Sequence, residues 1–157
     1  MTVAPATSSL PPTKRTNSLI DPATAKIIGR YPVSGFESPH RIALDVSGRL
    51  AFVAGEENNK LAVVDLTNMQ VLATYPVGKD PDVLTFDPGL KKLYVSAESG
   101  NVTVFRENGK ALVSEGTLSM PHAHTVSVDP DTHLVYFPLQ NIDGRPLLRI
   151  MEPSQAH

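Results

Sequence analysis

The sequence predicts an all-β protein made of repeated units, because one pair of short apolar segments recurs three times along the chain. Similar residues return at a constant step of 42 positions in two separate series. The first series is Asp45, Asp87 and Asp129, and the second is Phe52, Tyr94 and Tyr136. A period of about 40–45 residues, with several short strands in each unit, is typical of a β-propeller. The 14 prolines and 10 glycines agree with a protein rich in turns.

Each repeated unit reads as four short strands, which we label A to D in chain order. In strand A of the first unit, Ile42 and Leu44 alternate with polar or small residues, as in a strand with one buried face. Strand B is more continuously apolar, as expected when both of its faces pack against neighbouring units. Strand C of the first unit spans residues 61–65, and strand D follows it. The four strands of one unit are expected to form one blade of the propeller.

The order of the strands indicates where the repeat begins. Residues 21–33 resemble residues 65–77 at an offset of 44, and both segments end in Tyr-Pro-Val. We therefore predict a separate strand D from Ala25 to Tyr31, ahead of the first complete blade. The last strand C is predicted from Leu147 to Met151. These strands make three blades within residues 19–157, after a disordered segment at residues 1–18 that is rich in Pro, Ser and Thr.

Three four-stranded blades are too few for a closed ring, since propellers use about four to eight. Two copies related by a two-fold axis along the channel would give a six-bladed ring. We therefore expect a homodimer in which the strand from Ala25 to Tyr31 pairs with the strand from Leu147 to Met151 of the other copy. The alternative is that the chain is a truncated piece of a longer propeller, which survives only by such an association.

Composition excludes several classes of function. The formal charge of −2 argues against a nucleic-acid or anionic-membrane partner, because no Lys/Arg cluster could neutralise a row of phosphates. No apolar run approaches the roughly 20 residues that span a bilayer, and no signal-peptide core is expected. The chain has no cysteine, which excludes a disulfide framework, a thiolate nucleophile and a cysteine zinc site. These observations leave a small-molecule substrate as the expected partner of an active site, and they do not fix the cellular compartment.

Three segments of the repeat resemble a known family. They are Leu-Tyr-Val-Ser-Ala-Glu at residues 93–98, Val-Asp-Pro at residues 128–130 and Tyr-Pro-Val-Gly at residues 75–78. Together they resemble the repeats of the YVTN-type (YncE-like) β-propeller family, which is close to the lactonase-type propellers. The resemblance covers about residues 19–153 and implies the fold, in a half-length, three-blade version. It implies no particular reaction, because this fold carries many functions.

Six residues occupy two equivalent positions near the predicted ends of strands A and B. In propellers of this type, strand A begins at one mouth of the channel and strand B returns to it. The position just before strand A is occupied by His40, Asp82 and His124, and the position at the end of strand B by Glu56, Glu98 and Gln140. His122 lies two residues before His124. We expect all of these side chains to surround one channel mouth.

Imidazoles and carboxylates at one concave mouth are the ligand types that Zn²⁺, Mn²⁺ or Fe²⁺ requires. A divalent metal ion there could activate water for hydrolysis of a lactone, ester or phosphotriester. On this hypothesis the metal ligands are His40, Asp82, His124 and Glu56. The proton-transfer residues are His122 and Glu98.

Other interpretations of the same residues remain open. A polar residue repeated at the end of a strand can simply satisfy the amides of a turn, and Asp45, Asp87 and Asp129 are predicted to do only that. His133 is expected in an A–B turn at the opposite face, and His157 at the end of the sequence, so neither is placed in the site. The chain could instead be a non-catalytic binding module, or a fragment with incidental activity.

Overall fold

The computed structural model of the chain describes residues 16–32 and 38–154. These residues form thirteen β-strands and no helix. The strands are β1 Thr16–Asp21, β2 Lys26–Pro32, β3 Pro39–Asp45, β4 Leu50–Gly55, β5 Lys60–Asp65, β6 Gln70–Pro76, β7 Pro81–Asp87, β8 Lys92–Ala97, β9 Asn101–Asn108, β10 Ala111–Ser119, β11 Ser127–Val128, β12 Val135–Ile142 and β13 Arg145–Met151. Within the same ranges there is no helix with the length and apolarity needed to cross a membrane.

The chain divides into two compact units, Met1–Val33 and Ser34–His157. In the described part of the first unit, β1 and β2 form an antiparallel hairpin. The strand predicted from Ala25 to Tyr31 corresponds to β2, but the sequence did not predict β1. Strand β1 begins at Thr16, so the last three residues of the segment predicted as disordered belong to a strand. Residues 1–15 of that segment lie outside the described residues.

The hairpin reproduces strands C and D of a blade. In β1–β2, Ser18 lies opposite Arg30, and the register shifts next to Leu19. In β5–β6, Ala62 lies opposite Thr74, and the register shifts next to Val63, which is the same arrangement 44 residues later. The strand order of the described chain therefore begins with C, and not with D as the sequence predicted.

The second unit contains three antiparallel sheets, each with its strands in chain order. Sheet 1 is β3–β6, sheet 2 is β7–β10, and sheet 3 is β11–β13. Strand β3 contacts β7, and β7 contacts β11, so the first strands of the three sheets are neighbours. Strand β11 is shorter than the predicted strand A, with only Ser127 and Val128 in regular pairing and a separate bridge from Ala123 to Leu139. The all-β fold with four-stranded sheets is confirmed.

The core lies on the two sides of sheet 2. One cluster joins sheets 1 and 2, and the rings of Phe52 and Phe86 lie 5.1 Å apart within it. The second cluster joins sheets 2 and 3 around Tyr94 and Phe137. All six residues of β4 and all six of β8 are buried, because both faces of these B strands pack against other strands. The continuous apolar character of strand B predicted this burial.

The outer faces of sheets 1 and 3 carry exposed apolar side chains. Ile42 is 59% exposed, whereas the equivalent Leu84 and Val126 are 8% and 3% exposed. The alternation in strand A predicted that Ile42 and Leu44 would lie on the buried face of the strand, and for this blade the prediction was wrong. The reason is that Leu84 packs on sheet 1 and Val126 on sheet 2, while within residues 38–154 no sheet packs on this face of β3.

Candidate functional site

The same backbone turn precedes the first strand of every sheet. Ser38, Asp80 and His122 follow one another at steps of 42 residues and have φ angles of 48°, 55° and 65°. Their carbonyl oxygens accept hydrogen bonds of 3.1, 2.9 and 3.3 Å from the amides of Glu56, Glu98 and Gln140. His122 therefore occupies the left-handed position of this turn. The backbone of this end of each sheet is built in the same way in all three blades.

The predicted site residues occupy equivalent positions in this frame. His40 lies in the register shift between Pro39 and Arg41. Asp82 lies in the corresponding shift between Pro81 and Val83. His124 follows the Ala123–Leu139 bridge, which corresponds to the first pair of β3 and β4. The extra residue in each shift turns one side chain out of the strand alternation at this end of the sheet.

His40 and Glu56 form a pair at this end of sheet 1. The Nδ1 atom of His40 lies 2.8 Å from Oε2 of Glu56, and the two side chains are 39% and 46% exposed. A carboxylate can only accept, so Nδ1 donates to it, and Nε2 is the basic nitrogen of the neutral ring. The pair thus has the arrangement of an imidazole oriented by a carboxylate.

Asp82 is held by a different partner. Arg41 of sheet 1 donates from Nη2 to Oδ1 of Asp82 at 3.3 Å, and from Nε to the Asp82 carbonyl oxygen at 3.0 Å. This ion pair crosses from sheet 1 to sheet 2. A metal ion bound by Asp82 would have to compete with the Arg41 guanidinium for the same carboxylate.

The remaining predicted residues lie at the equivalent ends of sheets 2 and 3. The His124 carbonyl accepts from Ser96 Oγ at 3.3 Å. His124 also borders an open cavity of about 580 Å³ together with Gln140, Leu147 and Leu148. Among residues 16–32 and 38–154, no three His, Asp or Glu side chains come together in a group that could hold a metal ion. A metal ion bound by His40, Asp82, His124 and Glu56 therefore stays a prediction.

The aspartates at the opposite end of the sheets cap turns, as predicted. Asp45 accepts from the amides of Ser47 and Gly48, Asp87 from those of Gly89 and Leu90, and Asp129 from the Asp131 amide and the Thr132 hydroxyl. These are the local hydrogen bonds that Asp side chains make in Asx-turns. The sequence did not predict that two of these carboxylates also contact a basic side chain from the next sheet.

Lys91 and His133 supply those cross-sheet contacts. Lys91 Nζ lies 3.1 Å from Oδ2 of Asp45, and His133 Nδ1 lies 2.9 Å from Oδ2 of Asp87. Burial raises the pKa of Asp45, but hydrogen bonds from Ser47, Gly48 and Lys91 outweigh it and hold that pKa well below its ordinary value. The signal in the sequence was the step of 42 residues between Lys91 and His133, which was available but not used.

A cavity of about 340 Å³ lies between sheets 2 and 3, bordered by Tyr94, Glu115, Leu118, Phe137 and Met151 among others. Tyr94 is 4% exposed, and its hydroxyl has no hydrogen-bond partner among the described residues. Burial, with the nearby charges of Asp87 and Glu115, raises the pKa of Tyr94 to about 12. The phenol is therefore neutral and can donate a hydrogen bond.

Solved structures share this fold. A candidate 6-phosphogluconolactonase from Bacteroides uniformis is 13% identical with a TM-score of 0.68, over 86% of this chain and 46% of that chain. Dihydro-heme d1 dehydrogenase NirN in complex with DHE is 17% identical with a TM-score of 0.65, over 88% and 33%. The β-propeller domain of Cps50 (Swd1) from Myceliophteria thermophila is 13% identical with a TM-score of 0.58, over 71% and 34%.

These similarities concern the fold alone. No family model matches the sequence, and a search of curated proteins finds no match. The chain spans between a third and about half of the length of the three structures just named. The sheets, their repeated register and these neighbours together show that the chain has a β-propeller fold, in a span shorter than the propeller proteins it resembles.

Proposed function

We propose that the chain contributes to a β-propeller hydrolase that acts on a lactone, ester or phosphotriester at one mouth of the channel. The observation that carries the proposal is the 2.8 Å contact between His40 Nδ1 and Glu56 Oε2. Both side chains are partly exposed, so a small substrate can reach the ring. The similarity to a candidate 6-phosphogluconolactonase supports this class of substrate through the fold.

His40 acts as the general base in this proposal. Glu56 orients the ring through Nδ1, so Nε2 accepts a proton from a water molecule. That water attacks the carbonyl carbon or the phosphorus atom, and the leaving alcohol takes the proton back from the imidazolium. Glu56 stabilises the imidazolium between these two steps. A positioned base of this kind contributes about 100- to 10,000-fold to the rate.

A divalent metal ion (Zn, Mn or Fe) belongs to the proposal only in an assembled ring. The described part of one chain gathers no three ligands, and Asp82 is engaged by Arg41. Ligands from a second copy around a shared channel would be needed to complete the set. When bound, such an ion would acidify water, with Glu98 and His122 positioned to exchange protons.

The test is hydrolysis of p-nitrophenyl acetate, a γ-lactone and a p-nitrophenyl phosphotriester by the purified chain. We expect His40→Ala to lower kcat/KM at least about 100-fold and Glu56→Gln about 10-fold, because the first removes the base and the second only its orientation. His157→Ala is the matched control, since that histidine was placed outside the site. Full activity in His40→Ala would overturn the proposal.

Metal analysis separates the two versions of the mechanism. A stoichiometric transition metal in the active protein, with loss of activity on chelation, would support the metal-dependent version. Activity that survives chelation while His40→Ala is inactive would support the metal-independent pair.

A non-catalytic binding module is the second candidate function. It is favoured by the exposed apolar side chains on the outer faces of sheets 1 and 3, such as Ile42 and Leu148, which are 59% and 55% exposed. Apolar faces of this kind are typical of surfaces that other protein elements cover. If wild-type protein hydrolyses none of the three substrates, the binding function replaces the hydrolase.

We also propose that the chain belongs to one particular family of β-propellers. The motifs at residues 75–78, 93–98 and 128–130 support membership of the YVTN-type (YncE-like) propellers. An alignment of homologues that keeps Tyr94, Asp129 and their neighbours at these spacings would support it, and loss of the repeat among close homologues would refute it.

Closure of a six-bladed ring by two copies is a further part of the proposal. In the predicted exchange, β2 of one copy pairs with β13 of the other. In this chain β2 already pairs with β1, and in the register of β5–β6 an exchanged β2 would place Arg30 opposite Arg149. Like charges directly opposite are unfavourable, whereas β1 offers Ser18 to the same arginine. Strand exchange would therefore require β1 to leave β2, and packing of blade faces does not require it.

A further inference from the structure

An equivalent side-chain contact to an aspartate recurs between adjacent sheets at the turn end. Lys91 of sheet 2 reaches Asp45 of sheet 1, and His133 of sheet 3 reaches Asp87 of sheet 2. In both cases the basic residue follows its partner by 46 residues and has a left-handed backbone, with φ angles of 56° and 61°. Both carboxylates are almost fully buried, at 1% and 0% exposure. The contact is therefore a repeated feature of the way one blade meets the next.

Sheet 1 has a residue equivalent to the basic partner of this contact, and sheet 3 has a residue equivalent to the aspartate. Arg49 precedes Lys91 by 42 residues, lies in the equivalent turn and has the same left-handed backbone, with a φ angle of 55°. Asp129 follows Asp87 by 42 residues and caps the equivalent turn through the Asp131 amide and Thr132 Oγ1. Within residues 16–32 and 38–154, neither Arg49 nor Asp129 takes part in an ion pair.

The apolar residues of the two outer faces are also exposed equivalents of residues that are buried between the inner sheets. We call the face of a sheet that packs against the preceding sheet its leading face. Leu84 and Val126 are buried on this face, but the equivalent Ile42 of sheet 1 is 59% exposed. The opposite, trailing face packs against the following sheet. On this face, the registers of strands B and C make Ile150 equivalent to Val63 and Val104. Val63 and Val104 are 0% and 9% exposed, whereas Ile150 is 52% exposed. Each outer face thus has the apolar residues through which adjacent sheets pack against each other.

We propose that sheet 3 of one copy packs against sheet 1 of a second copy, and that Arg49 of one copy binds Asp129 of the other. This inference rests on the six-bladed ring proposed above and not on the hydrolase activity. The second copy is the occupant because the two faces of one chain are complementary in charge and in apolar pattern. A two-fold ring forms this interface twice, so both Arg49 side chains and both Asp129 side chains are paired.

The test uses two charge reversals, Arg49→Glu and Asp129→Lys, measured alone and as an equimolar mixture by sedimentation equilibrium. Either variant alone places like charges in both interfaces, so we expect dimerisation at least about 100-fold weaker than in the wild type. In the mixture, one interface joins Glu to Lys and the other joins Arg49 to Asp129. We therefore expect the mixture to recover to within about tenfold of the wild-type dissociation constant.

Two further variants control for folding and charge. Asp129→Asn keeps the turn cap and removes only the charge, and its mixture with Arg49→Glu restores one pair, so an intermediate affinity is expected. Lys60→Glu makes the same charge change as Arg49→Glu at an exposed position of β5 and should leave dimerisation unchanged. A dimeric wild type whose affinity is insensitive to Arg49→Glu would overturn the ion pair alone. A monomeric wild type would overturn the ring and the pair together, and with them the metal-dependent version of the hydrolase, whereas neither result bears on hydrolysis by the His40–Glu56 pair.

Discussion

The charge of Lys91 neutralises a buried carboxylate between two sheets. Asp45 is 1% exposed and accepts from Ser47, Gly48 and Lys91. We predict that Lys91→Met lowers the free energy of unfolding by about 2 kcal/mol, because Asp45 loses its cation and keeps only the turn donors. Urea unfolding measures this, with the exposed Lys60→Met as the matched control. Equal losses in the two variants would contradict the prediction.

The same carboxylate makes stability depend on pH. The folded pKa of Asp45 lies below its ordinary value, so the stabilisation is fully present above about pH 4 and is lost as the pH falls through the folded pKa. We predict that the difference in unfolding free energy between the wild type and Asp45→Asn is largest at neutral pH and shrinks on acidification. Urea titrations between neutral and strongly acidic pH measure it. A difference that grows on acidification would show the opposite sign.

Tyr94 carries a hydroxyl where the equivalent residue of sheet 1 is Phe52. The hydroxyl is buried and has no hydrogen-bond partner among the described residues, which costs about 1–3 kcal/mol of desolvation. We predict that Tyr94→Phe raises the free energy of unfolding by about 1 kcal/mol. Thermal or urea unfolding of the two proteins is the measurement. A variant that is less stable by a similar amount would mean that the hydroxyl is hydrogen-bonded in solution.

The first strands of sheets 1 and 2, β3 and β7, differ in burial at equivalent positions. Leu84 is buried against sheet 1, and Ile42, 42 residues earlier, is exposed on the outer face of β3. We predict that Leu84→Ala lowers the free energy of unfolding by about 2–5 kcal/mol, because it leaves a cavity in the core. Ile42→Ala should change the unfolding of dilute protein by less than about 0.5 kcal/mol and weaken dimerisation instead. Similar losses at both positions in dilute protein would show that β3 is covered within one chain.

The repeat predicted the sheets well because spacing reports equivalence directly. The step of 42 residues placed Asp45, Asp87 and Asp129 in equivalent turns, and the continuous apolar character of strand B predicted its place in the core. Strand β1 was missed because Thr16–Asp21 has little apolar alternation and follows a segment rich in Pro, Ser and Thr. Its partner β2, and not its own composition, gives it a place in a sheet.

The site was predictable only in part, for a related reason. Equivalent positions in the repeat gave the location of His40, Asp82 and His124 near the start of the first strand of each sheet. They could not give the partner of each side chain, which depends on distances between and within blades. The guanidinium of Arg41 pairs with Asp82, and the carboxylate of Glu56 contacts the His40 ring. The cross-sheet role of His133 was missed because the turn was judged by its place in one blade, without the next blade.

At the scale of the whole molecule, each outer face offers the half of an interface that the other face lacks. Sheet 1 presents Arg49 and Ile42, and sheet 3 presents Asp129 and Ile150. In the inner blades, the equivalents of these residues are buried or paired. Joining the faces of two copies would bury the exposed apolar side chains, which is the main favourable term in association. A ring closed in this way would also bring the channel ends of both copies to one mouth.

The mass of the full chain in solution tests this account most directly. Sedimentation equilibrium over a range of protein concentrations should give twice the 16.9 kDa of one chain for the wild type and a mass near that of one chain for Arg49→Glu. The equimolar mixture of Arg49→Glu and Asp129→Lys should return to the doubled mass. A wild-type mass of one chain at every concentration would contradict closure of the propeller by a second copy.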